Sequence, residues 1–132
     1  MRFFIRMKIP TKTAQEKKIT VRGGKPIIYS PPELRDINAR YLAALILHAP
    51  EAPLNGPIRL YTAWIFPQGK HRAGEFKTTK PDTDNLLKGF KDAMTKAGFW
   101  MNDAQVAAEF TVKRYGNPEG ILVDVSRIEE GE

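Results

Sequence analysis

The sequence contains no cysteine and only two histidines among its 132 residues. The absence of cysteine excludes disulfides, thiolate catalysis and zinc sites with cysteine ligands. Neither His48 nor His71 is followed by a second ligand at a spacing typical of a metal site. With no histidine or cysteine ligand pattern, oxygen ligands are the expected donors of a metal site in this chain.

Long apolar runs are also missing. The longest run, residues 41–49, is too short to span a bilayer, and the first ten residues alternate charged with apolar side chains where a signal peptide has a continuous apolar stretch. We find no repeat and no low-complexity segment. We therefore expect a cytoplasmic protein without a membrane partner, with one domain over residues 1–128 and an acidic tail over 129–132.

Acidic residues are scarce relative to basic ones. The chain has 21 Lys and Arg against 15 Asp and Glu, a formal charge of +6, and without the three glutamates of the tail the charge rises to +9. The excess is concentrated in residues 1–28, where candidates for phosphate contacts are Lys17, Lys18, Arg22 and Lys25. Composition alone leaves two interpretations open, a soluble protein that is simply basic and a nucleic-acid-binding protein.

Hydrophobic periodicity predicts several strands and two main helices. Period-two alternation indicates strands, apolar residues at helical spacing indicate helices, and Gly23 with Gly24 suits a hairpin turn. The predicted strands cover residues 2–9, 19–22, 25–29, 56–67, 107–116 and 121–128, and the predicted helices cover 31–48 and 83–97. This order of elements predicts a small α/β (α+β) domain.

A polar, basic segment precedes the second helix. Residues 67–80 contain Gly69, Gly74 and five groups that carry or can carry positive charge. We expect a mobile basic loop. Its members Lys70, Arg72, Lys77 and Lys80 are predicted to contact backbone phosphates, the alternative being that they are only solvated.

The stretch KPDTDNLLK, residues 80–88, holds two aspartates two positions apart. Asp82 and Asp84 converge only if a helix begins between them, and Pro81 with the N-cap types Asp82 and Thr83 predicts that start. A helix N-terminus stabilises a nearby carboxylate by about 0.3–1 kcal/mol, but two converging carboxylates still repel. A divalent cation bound by both would offset that repulsion.

Two further residues extend the acidic motif. Lys88 lies one helical turn after Asp84, and Asp103 follows the predicted helix end at Gly98. Asp103 can approach the helix start if the chain doubles straight back, or it can reach the equivalent site in a second subunit. Three aspartates and a lysine suit Mg²⁺ or Mn²⁺ and the hydrolysis of phosphodiesters.

A purely structural interpretation accounts for the same residues without catalysis. Asp82 would then be an N-cap and Asp84 a first-turn acid. Lys88 would be the ion-pair partner of Asp84, a contact that contributes about 0.3–0.5 kcal/mol.

Residues 80–106, KPDTDNLLKGFKDAMTKAGFWMNDAQV, resemble the signature of the RusA family of Holliday-junction resolvases. That signature has an acid-x-Asp-Asn-Leu start, a lysine one turn later, Asp-Ala in mid-helix, and then Gly-x-x-x-Asp-Asp-x-Gln. The resemblance implies a homodimer with a mixed sheet that cuts four-way DNA junctions by paired nicks, with Mg²⁺ or Mn²⁺ as cofactor.

The resemblance also implies roles for individual residues. Asp82, Asp84 and Asp103 match the metal-binding carboxylates of the family, and Lys88 matches its essential lysine. Asn102 stands where the family often has the first of two aspartates. Two other functions stay open beside the junction resolvase, a nuclease for flaps or other branched DNA and a non-catalytic nucleic-acid-binding protein.

Overall fold

A computed structural model describes residues 1–10, 18–22, 25–29 and 32–129, with side chains for residues 1–10 and 35–129. The strands are β1 (Arg2–Arg6), β2 (Lys18–Arg22), β3 (Lys25–Tyr29), β4 (Ile58–Pro67), β5 (Val106–Gly116) and β6 (Gly120–Arg127). The helices are α1 (Pro32–Ile46), α2 (Thr83–Ala97) and a short 3₁₀ turn, Asp103–Gln105. Within the described ranges, no helix combines the length and apolar character needed to cross a bilayer.

The main sheet has four strands in the order β1-β6-β4-β5. β6 runs antiparallel to both of its neighbours, whereas β4 and β5 are parallel, so the sheet is mixed. β2 and β3 pair antiparallel as a separate two-stranded sheet, which confirms the predicted hairpin. The predicted turn residues Gly23 and Gly24 lie outside the described residues. With two helices, the chain forms a single small α+β domain.

The core lies between the two helices and one face of the sheet. Alternate residues of β4 from Ile58 to Phe66 are buried, as is the apolar face of α2. Tyr41 of α1, Trp64 of β4 and Phe90 of α2 meet edge to face, with ring centroids 5.2–6.2 Å apart. The helical and strand periodicities seen in the sequence therefore converge on one aromatic cluster.

α2 is the connection between the two parallel strands. Parallel neighbours need a crossover, because the chain must return to the end of the sheet from which it started. α2 begins at Thr83 and ends at Gly98, whose φ of 94° is the left-handed conformation that suits glycine. The helix therefore starts beside the carboxyl half of β5 and its other end leads to the beginning of that strand.

The basic segment before α2 is not free of the sheet. The amide of Gly74 donates to the Tyr115 carbonyl at 2.7 Å, and the amide of Tyr115 donates to the Glu75 carbonyl at 2.8 Å. The amide of Lys77 donates to the Lys113 carbonyl at 2.9 Å. The expectation of a mobile loop is therefore wrong for residues 74–77, because backbone hydrogen bonds hold them along the outer edge of β5.

Candidate active site

The two aspartates of the acidic motif lie at the start of α2, as the sequence predicts. Asp82 is the N-cap residue in an extended conformation, with φ −72° and ψ 147°, and Asp84 lies in the first turn. Both side chains are exposed. The Asp82 side chain makes no capping hydrogen bond. Capping therefore does not explain an aspartate at this position.

Lys88 is exposed on the same helix, one turn beyond Asp84. The structural interpretation predicts an ion pair between Asp84 and Lys88. In the described part of the chain no such pair forms, although an i,i+4 pair does form between Asp36 and Arg40 of α1. The carboxylates of Asp82 and Asp84 and the ammonium group of Lys88 are consequently available to bind other molecules.

Lys113 holds the segment that leads into the site. Its ammonium group donates to the carbonyl of Thr79 at 2.7 Å and to that of Pro81 at 2.8 Å. Sequence analysis missed this residue, because a lysine in an alternating strand carries no sign of a distant partner. Lys113 lies opposite Trp64 on the parallel neighbour β4, and this pairing sets it beside the chain that enters α2. The position of Asp82 thus depends on a contact from β5.

Asp103 begins the 3₁₀ turn and is exposed. Asn102 caps this turn, because its side chain accepts a hydrogen bond from the amide of Ala104 at 2.8 Å. Gln105 accepts from the amides of Met101 and Asn102, both at 3.1 Å, and donates to the carbonyls of Leu54 and Gly56, both at 3.0 Å. Asn102 therefore has a structural use as the cap of this turn.

Within one chain, Asp103 lies at the opposite end of α2 from the other two aspartates. The 15 residues of α2 span about 22 Å at 1.5 Å per residue. Along β5, Val106 lies beside the 3₁₀ turn and Lys113 lies beside the loop. The distance between these two residues along the strand is about 23 Å. Among the described residues, no group of three His, Asp or Glu side chains could hold a metal ion. Within the described residues, the chain therefore does not double back to the start of α2.

The oxygen donors at the start of α2 suit a divalent cation. Asp82 and Asp84 supply only carboxylate oxygens and have no partner among the described residues, which suits hard ions such as Mg²⁺ and Mn²⁺. These two residues fit such an ion as one half of a site. The third carboxylate, Asp103, would have to come from another chain.

The predicted phosphate-binding residues fall into two groups. Lys70, Arg72 and Lys80 are exposed in the loop. Lys77 is half-buried, donates to the Thr79 hydroxyl at 2.8 Å and lies over the rings of Phe66 and Tyr115. Lys77 therefore stabilises the loop, whatever else it contacts.

The second group belongs to the β2–β3 hairpin. The backbones of Lys18, Arg22 and Lys25 lie in the hairpin, where Arg22 pairs with Lys25. The side chains of these residues, and the whole of Lys17, lie outside the described part.

His71 and Glu75 fasten the beginning of the loop. The imidazole stacks on the Tyr115 ring with centroids 3.6 Å apart, and its Nδ1 lies 2.6 Å from the Glu75 carboxylate. This hydrogen bond lowers the pKa of the Glu75 carboxyl below its ordinary value, against a smaller opposing effect of desolvation. The loop is therefore held at both of its ends, by His71 and by Lys113.

Comparisons with known proteins agree with the motif. The family model described as "Endodeoxyribonuclease RusA" matches residues 9–126. The crossover junction endodeoxyribonuclease rusA of Lactococcus phage r1t is 31% identical over 102 residues, which cover 75% of this chain and 76% of the relative. The corresponding proteins of Escherichia coli K12 and Enterobacteria phage 82 are each 59% identical over 32 residues, 24% of this chain and 27% of the relative. The chain therefore belongs to the RusA family of endodeoxyribonucleases.

Proposed function

We propose that the protein is an endodeoxyribonuclease that resolves four-way DNA junctions by paired nicks during homologous recombination and DNA repair. The observation that carries this proposal is the start of α2, where Asp82 and Asp84 are exposed and unpartnered, with Lys88 one turn away. Family membership supplies the substrate class, since the named relatives are crossover junction endodeoxyribonucleases. A homodimer suits this task, because a two-fold axis relates two active sites to two opposed strands.

Each active site uses Asp82 and Asp84 of one chain and Asp103 of a second chain to bind Mg²⁺ or Mn²⁺. The separation of these residues within one chain supports the division between two chains. The partial positive charge of the helix N-terminus favours the ionised form of Asp82 and Asp84. A cation held by these residues would act as a Lewis acid that activates water and offsets negative charge on the phosphate.

The basic residues bind the DNA and stabilise charge. Lys88 lies on the same helix as the carboxylates, and its ammonium group offsets negative charge that develops at the scissile phosphate. Residues Lys70, Arg72, Lys77 and Lys80 of the loop contact backbone phosphates, and Lys17, Lys18, Arg22 and Lys25 form a second patch. The location of the protein in the cytoplasm stays a prediction from its sequence.

Cleavage of a synthetic four-way junction tests the proposal. With Mg²⁺ or Mn²⁺, the protein is expected to nick the junction and leave linear duplex of the same sequence intact. Asp84→Asn is expected to abolish nicking while junction binding persists, because it removes a carboxylate that binds the cation. Glu51→Gln, an exposed change outside the motif with the same loss of charge, serves as the matched control and is expected to nick normally.

The same assay separates the alternative functions. Preferential cutting of flaps or other branched substrates would favour the broader nuclease. If wild type and Asp84→Asn bind the junction equally and neither cuts it with either metal, the protein is a non-catalytic nucleic-acid-binding protein and the proposal is wrong.

A further inference from the structure

The loop before α2 contains a histidine whose ring is fixed by two neighbours. The His71 imidazole stacks on the Tyr115 ring of β5, with centroids 3.6 Å apart and planes inclined by 3°. Its Nδ1 lies 2.6 Å from one carboxylate oxygen of Glu75, and the other oxygen accepts from the Arg72 amide at 3.4 Å. The stack sets the plane of the ring and the carboxylate sets its rotation, so the direction of the second nitrogen, Nε2, is fixed as well.

Nε2 is the ring nitrogen that these contacts leave open. The His71 side chain is 44% exposed, and within the described part of the chain no group forms a hydrogen bond with Nε2. Because Glu75 and Tyr115 already hold the ring, a ligand that binds Nε2 does not have to order the side chain first. Nε2 is therefore a preorganised contact point for a molecule from outside.

The carboxylate decides what Nε2 can bind. An ionised carboxylate only accepts hydrogen bonds, so the neutral imidazole beside it carries its single proton on Nδ1. The hydrogen bond with His71 lowers the pKa of the Glu75 carboxyl below its ordinary value, which favours the ionised carboxylate. Nε2 of the neutral ring is then an acceptor. Only a second proton turns Nε2 into a donor and the ring into a cation.

The ring lies on the part of β5 that positions the acidic motif. Tyr115 and Lys113 are two positions apart on this strand, so their side chains share one face at a separation of about 7 Å. Lys113 donates to the Pro81 carbonyl, directly before Asp82. The imidazole therefore lies beside the segment that enters α2, where the proposed function places a DNA strand.

The charged groups near the imidazole are mainly cations, from the loop and from the strand against which it packs. These cations are Lys70, Arg72, Lys77 and Arg114. The one carboxylate in contact with the ring is that of Glu75. Lysine and arginine stay charged throughout the pH range in which histidine titrates. They attract a polyanion at every pH in that range, so a change of charge at His71 adds a pH-dependent contribution to a constant one.

We propose that His71 is a proton-dependent phosphate ligand, whose imidazolium donates Nε2–H to a backbone phosphate of DNA that lies across the start of α2. A phosphodiester carries one negative charge and only acceptor oxygens, so it binds the charged ring and is repelled by the lone pair of the neutral ring. Protonation of His71 and phosphate binding therefore favour each other, and DNA affinity rises as the pH falls from about 8 to about 5.5. The position of the DNA in this proposal rests on the proposed function.

Junction binding without divalent cations tests the proposal, because no strand is cut. As the pH falls from about 8 to about 5.5, wild type is expected to gain at least about fivefold more affinity than His71→Gln, which cannot become charged. His48→Gln is the matched control, since His48 is the only other histidine, and is expected to keep the wild-type pH profile. The comparison cancels the effects of the other titrating groups, because all three proteins share them.

A permanently charged variant separates phosphate binding from a role in holding the loop. His71→Arg keeps a planar cation that can stack on Tyr115, so it is expected to bind the junction tightly at about pH 8 and to lose most of the pH dependence. A histidine that only fastened the loop would give Gln and Arg variants that are weakened alike at every pH, which would contradict the proposal.

Nitrogen-15 spectra of the imidazole rings report the protonation directly. At about pH 7, the junction is expected to shift the His71 ring nitrogens toward the imidazolium pattern and to leave those of His48 unchanged. Junctions with single uncharged methylphosphonates in place of phosphates then locate the contact. One such replacement is expected to give wild type the pH profile of His71→Gln. If no replacement does so, the ring does not bind a phosphate and the proposal is wrong.

The outcomes separate this proposal from the proposed function. Equal pH profiles for wild type and His71→Gln, or unchanged His71 ring nitrogens, would overturn the role of His71. Nicking of the junction by wild type with Mg²⁺ or Mn²⁺ would leave the proposed function standing in that case. A protein that cuts no junction but binds it with the His71-dependent profile would instead refute the nuclease function alone.

Discussion

Replacing Lys113 by methionine tests whether β5 positions the catalytic segment. The Lys113 ammonium group donates to the carbonyls of Thr79 and Pro81 at 2.7 and 2.8 Å. Methionine keeps most of the apolar stem but removes the charge and both donors. The segment before Asp82 then loses the hydrogen bonds through which the Lys113 side chain links it to the sheet.

The magnitude follows from the two hydrogen bonds. A hydrogen bond that involves a charged group contributes about 1.5–3 kcal/mol. The hydrogen bond to Thr79 is exposed and the hydrogen bond to Pro81 is partly buried. After the substitution, water therefore compensates for most of the lost hydrogen bond to Thr79. We therefore expect local opening of residues 74–82 to become easier by about 2 kcal/mol, a factor of roughly 30 in the opening equilibrium.

Amide hydrogen exchange and single-turnover cleavage measure the effect. Lys113→Met is expected to speed exchange in residues 74–82 and to lower the cleavage rate more than it weakens junction binding, because Asp82 is less well positioned. Lys113→Arg is expected to restore part of the protection from exchange and part of the cleavage rate. Lys70→Met is the matched control, since Lys70 is exposed in the same loop and its loss removes the same charge. If Lys113→Met and Lys70→Met change exchange and cleavage alike, Lys113 acts only through charge and the reasoning is wrong.

Three further predictions concern stability and binding. Burial raises the pKa of Tyr41 above its ordinary value of 10.0, so the phenol ionises more readily in the unfolded state and stability is lost as the pH rises above about 10. Tyr41→Phe should flatten this loss of stability above about pH 10 in denaturant titrations, and parallel curves would contradict this. Gly120→Ala would press a Cβ against the Ile5 carbonyl and the Phe4 ring, and is expected to lower the free energy of unfolding by about 1–3 kcal/mol; an unchanged melting temperature would exclude the clash. Junction binding should weaken steeply with salt as basic side chains displace counterions, and a flat salt titration would count against the basic surface.

The bounds of α2 were predictable because their signals are local. Pro81 and Asp82 mark the start, apolar residues at helical spacing mark the buried face, and Gly98 marks the end. The helix runs over Thr83–Ala97, as predicted. The relation of Asp82 and Asp84 to the start of the helix was predictable for the same reason.

The place of Asp103 and the role of Lys113 were not predictable, because both depend on how distant strands pair. Only the parallel pairing of β5 with β4 sets Lys113 beside the loop and Asp103 at the other end of α2. The docking of the loop on β5 uses backbone groups, which leave no trace in the sequence.

β1 was predicted to reach residue 9 but ends at Arg6, because its last partner, Gly120, is the first residue of β6.

The side chain of Gln105 has a mechanical consequence. Two of its four hydrogen bonds hold the 3₁₀ turn to the backbone carbonyls of Leu54 and Gly56, immediately before β4, and the other two are accepted from the amides of Met101 and Asn102. Asp103 is therefore anchored to the chain that enters β4, whereas Asp84 lies in the first turn of α2. A rotation of α2 would shift Asp84 relative to Asp103 of the same chain, while Lys113 ties the segment before Asp82 to β5.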